Sequence, residues 1–61
     1  MPNISTKELT ALEDQLGQEQ ILIKKYQAFA NQCTDAVIKG KCQDIANRHQ
    51  QHYNTLMNYL T

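Results

Sequence analysis

Residues 33–38 read CTDAVI, and they interrupt a helical pattern that is continuous on either side. Thr34 or Asp35 offers a short polar side chain of the kind that caps a helix N-terminus. Upstream, Leu9, Leu12, Leu16, Ile23, Tyr26, Ala30 and Cys33 recur in steps of three and four, with Glu19 taking one place in the row. Downstream the row is Ile38, Cys42, Ile45, His49, His52, Leu56 and Tyr59, again without a slip. Steps of three and four put residues on one side of an α-helix. The spacing therefore predicts helix 1 over about 5–33, a turn at about 34–35 and helix 2 over about 36–60. Gly40 admits another reading, a loop running from Cys33 to about Lys41. Ile38 is already in register, which favours the continuous helix.

The start of helix 1 is written in ISTKEL, residues 4–9. Ser5 and Glu8 have the spacing of a capping box, and Ile4 and Leu9 that of a hydrophobic staple. Leu22 and Phe29 widen the first apolar row; Ala46, Tyr53 and Leu60 widen the second. Each helix thus carries a three-in-seven face, as in a globular bundle. Gly17 and Ile21 fall on the outer side of helix 1. A short turn makes the helices antiparallel neighbours.

The chain has 61 residues, room for a single domain spanning 1–61. Two helices cannot cover two wide apolar faces by themselves. The expected fold is all-α: an antiparallel two-helix hairpin that dimerises into a ferritin-like four-helix bundle. Leu9, Leu12, Leu16, Ile23, Tyr26, Ile38, Ile45, Leu56 and Leu60 are the expected dimer core.

Formal net charge is +0 and the pI about 6.7. The lysines form no stripe, so no nucleic-acid partner is expected. No apolar run is long enough to span a membrane, and the first residues have no apolar signal region. Without a signal peptide, the chain is expected to be made in the cytoplasm. Asparagine and glutamine are frequent, giving a surface of neutral amides.

Glu19, His49 and His52 are the polar exceptions in the two rows. Glu19 lies fifteen residues before Thr34 and His49 fifteen after it, with His52 one turn further. In an antiparallel hairpin they converge on one level near the middle. A buried carboxylate without a partner is very costly, so facing histidines are informative. One reading is a polar layer that sets register and dimer geometry. The other is a metal site, because bundles build such sites from inward Glu and His residues. No cofactor is firmly implied; a transition metal (zinc, iron or manganese) is the candidate ligand. Position 49 has no glutamate to bridge two irons, which argues against an oxidase.

Cys33 and Cys42 are either small buried free thiols or a disulfide. Tyr26, Tyr53 and Tyr59 read as core-edge residues with wet hydroxyls. There is no Gly-rich phosphate loop and no nucleophile–base pair, so no enzyme activity and no catalytic residue is expected.

From about Lys7 to Leu60 the pieces LEDQL, EQ followed by KKY, QCTD, KC and HQQHY occur in order. In this the chain resembles the small Coat F-like spore coat proteins of endospore-forming Firmicutes. Many of those have proline after the aspartate that opens helix 2, where this chain has Ala36. The resemblance implies a ferritin-like arrangement and a non-enzymatic structural component of, or associated with, the bacterial spore coat. It implies the chain itself and other coat proteins as partners, and a coat location. The alternative is a small metal-binding bundle with a central Glu/His layer.

Overall fold

The computed structural model describes residues 4–60. Helix α1 runs Thr6–Gln32 and helix α2 runs Ala36–Met57, followed by a 3₁₀ turn over Asn58–Leu60. The two helices pack side by side as a hairpin 46 Å long and 15 by 11 Å across. Among the described residues there is no strand.

Local chemistry accounts for each boundary. Glu8 N–H donates to Ser5 Oγ and Ser5 N–H donates to Glu8 Oε1, both at 3.1 Å, completing the capping box. At the other end Cys33 N–H donates to the carbonyl of Ala30, and the chain then turns extended at Cys33 and Asp35. Of the two candidate caps, Asp35 is the one used. Its Oδ1 accepts from the backbone N–H groups of Val37 and Ile38 at 2.9 and 3.0 Å. The aspartate satisfies two orphan donors at once and places a negative charge at the positive end of the helix.

Gly40 sits inside α2, and the longer loop is not formed. Once Asp35 has nucleated the first turn, one glycine costs about 1 kcal/mol, less than giving up the turns around it. Ile21 is exposed on the outer side, whereas Gly17 is half-buried. A Cβ added at either glycine would meet nothing within 4 Å.

The core is narrow. Leu16, Ile23 and Ala30 of α1 and Ala46 of α2 are buried, and Glu19 is buried among them. Leu12, Tyr26, Ile45, Leu56 and Leu60 are half-buried, while Leu9, Phe29, Ile38 and Tyr59 remain exposed. Ile38, expected in the core row, keeps 53% of its surface open. It lies in the first turn of α2, and Phe29 in the last turn of α1 is likewise left 48% open, so neither is covered within the hairpin.

The two broad sides of the hairpin differ. On α1, Ala11, Gln15, Leu22, Tyr26 and Phe29 run along one flank of the buried row; Gln20, Gln27 and Asn31 run along the other. On α2 the corresponding flanks are Ile38, Ile45, His52, Leu56 and Tyr59, and Gln43, Asn47 and Gln50. A groove of about 410 Å³ joins Ala11, Leu12 and Gln15 to Leu56 and Tyr59, so the two apolar flanks share one side. Grooves on the opposite side join Gln27 and Asn31 to Gln43 and Asn47, and Gln20 to Gln50. The hairpin thus has an apolar side and an amide side.

Candidate metal centre

Glu19 is the middle residue of α1, which runs from position 6 to 32. It projects between the helices because it occupies the row of Leu16 and Ile23. His49 and His52 stand one turn apart on α2, so both reach the same level. The structure brings all three together: one donor atom from each lies within 4.8 Å of the other two.

The individual contacts rank the partners. His49 Nδ1 lies 2.9 Å from Glu19 Oε2, and His52 Nδ1 lies 3.6 Å from the same oxygen. Gln15 Nε2–H donates to Glu19 Oε1 at 3.4 Å. Burial pushes the Glu19 carboxyl up. The hydrogen bond with His49, the charges of His49 and His52, and the Gln15 amide outweigh it and hold Glu19 below the ordinary carboxylate range. Glu19 is therefore ionised at neutral pH and can only accept, which makes His49 Nδ1–H the donor.

Depth grades across the group. The side chains of Glu19, His49 and His52 are 6%, 21% and 59% exposed. His52 is the departure from the sequence expectation, which placed it with the core row. It projects to the apolar side, off the line joining the two helices, and borders an open groove with Gln15, Glu19, Thr55 and Leu56. The His49 ring lies nearly parallel to Tyr26, with centroids 6.4 Å apart and 18° between planes. The rings of His49 and His52 meet edge to face at 5.5 Å. His49 is thus held by Glu19, Tyr26 and His52, while His52 has space to turn.

Two supports escaped the sequence reading. Gln15 was legible in principle, since it stands four residues before Glu19 on the same helix. Tyr26 appeared only as a core-edge residue; its stacking on His49 depends on how the helices are rotated against each other. Of the other tyrosines, Tyr53 is half-buried and its hydroxyl accepts from Gln20 Nε2–H at 3.3 Å, while Tyr59 is exposed. Cys33 and Cys42 are both half-buried free thiols, and Cys33 Sγ–H donates to the Asp35 carbonyl at 3.4 Å.

An ionised carboxylate with two imidazoles can do one of two things. It can act as a polar pin that fixes the register of the helices, or it can hold a metal ion. Among the described residues no helix is long and apolar enough to cross a membrane.

The chain is similar to the "Uncharacterized protein YuzM" of Bacillus subtilis (strain 168), with 32% identity over 57 residues, 93% of this chain and 70% of that protein. The chain belongs to the family of that protein. No family model matches it, and no solved structure matches it.

Proposed function

We propose that this member of the YuzM family is a non-enzymatic, self-associating helical hairpin. Two copies pack their apolar sides together into a four-helix bundle. The observation that carries this is the uncovered apolar side, on which Phe29, Ile38 and Tyr59 are about half open to water beside Leu22, Tyr26, Ile45 and Leu56. A compact monomer of this mass exposes about 4,000 Å². This chain exposes 4773 Å². A second copy supplies the complementary surface most simply, because a two-fold axis pairs like with like. Glu19 lies at mid-helix, so the same axis brings the partner's Glu/His group to the same level.

Together with the resemblance to Coat F-like proteins, this side supports a structural role in the spore coat, with the amide side left for contacts to other coat proteins. Neutral amides repel neighbouring copies weakly, which suits dense assembly. Sedimentation equilibrium of the wild type and of Phe29→Glu tests the bundle. A wild type that stays monomeric at high concentration sinks it. A fluorescent fusion followed through sporulation tests the coat role. Signal spread through vegetative cytoplasm counts against it.

The convergence of Glu19, His49 and His52 favours a second reading, a small bundle that binds zinc, iron or manganese at its central layer. Elemental mass spectrometry of chelator-free protein tests it. Stoichiometric metal in the wild type, lost in Glu19→Gln/His49→Gln/His52→Gln, supports it.

A further inference from the structure

We infer that Glu19, His49 and His52 of a single chain form a closing site for a late first-row dication such as zinc rather than manganese, with His52 as the ligand that moves. The inference rests on the metal-binding reading and specifies the ion, the ligand set and the order of assembly.

Donor spacing is the first argument. In a tetrahedral zinc site with bonds of about 2.0–2.2 Å, ligand atoms stand about 3.3 Å from each other. Glu19 Oε2 already stands 2.9 Å from His49 Nδ1 and 3.6 Å from His52 Nδ1. Two edges of the tetrahedron bracket the required length before any ion enters. One donor atom from each residue lies within 4.8 Å of the other two, so the histidines need to approach by only about 1.5 Å for such a trio to reach tetrahedral spacing. His52 can make that movement, because it is the exposed member and its neighbours leave an open groove.

Charge is the second argument. Glu19 is a buried anion whose partners are two imidazoles and an amide. A buried carboxylate matched only by weak or conditional cations is costly, and a dication offsets it directly. The third argument is donor type. Two imidazoles with one carboxylate suit zinc and its late neighbours, while manganese and magnesium favour oxygen-rich sites. The His49 ring is also lined up by the Tyr26 ring, nearly parallel to it with centroids 6.4 Å apart. On binding, the ion takes the place of the proton between His49 Nδ1 and Glu19. That proton moves to Nε2 or to the buffer. One coordination position stays open for water.

The test is calorimetric titration of chelator-stripped full-length protein with zinc chloride and, separately, manganese chloride. Wild type is compared with His52→Gln and Glu19→Gln, with helix content followed by circular dichroism. His52→Gln changes an exposed side chain, so folding is kept. The expected result is one zinc per chain, manganese at least tenfold weaker, and about 100-fold weaker zinc binding in His52→Gln. Manganese bound as tightly as zinc, or zinc binding unaltered in His52→Gln, overturns the inference and leaves the metal reading standing. Failure to bind either ion overturns the inference, and failure to bind ferrous iron as well, titrated anaerobically, overturns the metal reading with it.

Discussion

Trimming Phe29 to alanine separates a lone hairpin from half of a bundle. A phenylalanine buries about 150–250 Å² when fully covered. Phe29 keeps 48% of its surface open. Roughly 100 Å² is therefore left for a second chain to cover. Alanine removes most of that area, which at about 25 cal/mol per Å² is ~2 kcal/mol per chain. A two-fold dimer loses the contact twice, ~4 kcal/mol in all, and its dissociation constant rises about a thousandfold. Sedimentation equilibrium over several decades of concentration reads this directly. Ile21→Ala is the control, because Ile21 is exposed on the side away from the proposed interface. It should leave the dissociation constant within a few-fold of wild type. If Phe29→Ala associates within tenfold of wild type, or if Ile21→Ala weakens association as much, the interface is misplaced and the argument from the apolar side fails.

Three further outcomes follow from particular contacts. Gly17→Ala and Gly40→Ala should each stabilise the protein by about 1 kcal/mol, a rise of roughly 4–8 °C in Tm, because both lie inside helices and an added Cβ meets nothing within 4 Å; a lower Tm for either contradicts the open surroundings seen there. Asp35→Ala should cost about 1 kcal/mol by removing the acceptor for Val37 and Ile38 N–H, read by urea denaturation; no change in midpoint would mean Thr34 takes over the cap. In metal-free protein Glu19 titrates below its ordinary value. Its contribution to stability is present above the unfolded carboxylate pKa of about 4.3 and is lost as pH falls through the lower folded value. Thermal melts from pH 7 downward should therefore fall more steeply for wild type than for Glu19→Gln, and a steeper fall in the variant contradicts the direction of the shift.

The elements set by near neighbours were legible in the sequence. The capping box needs only Ser5 and Glu8, and the break at Cys33–Asp35 needs only a short polar side chain where the apolar row stops. The meeting of Glu19 with His49 was legible too. In an antiparallel hairpin, equal distance from the turn fixes axial level, whatever the side chains between. Gly40 shows where such reasoning leaves a choice open, since a glycine is compatible with both a loop and a helix. The helix forms because Asp35 caps it and Ile38 does not have to be buried for its first turn to hold.

What the sequence determined by itself is therefore axial: where the helices start and stop, and which residues share a level. What only the tertiary structure decided is rotational. A three-in-seven apolar face is wider than one neighbouring helix can cover, so the pattern alone does not say which flank turns inward. Packing chose the line through Leu16, Ile23, Ala30 and Ala46, whose small alanines let the helices come close. That rotation buried Glu19, laid Tyr26 against His49, and left His52, Phe29 and Ile38 facing outward on one side. Axial position follows from counting residues along a rigid 1.5 Å rise. Rotation follows from the fit of two surfaces, which exists only once both helices are in contact.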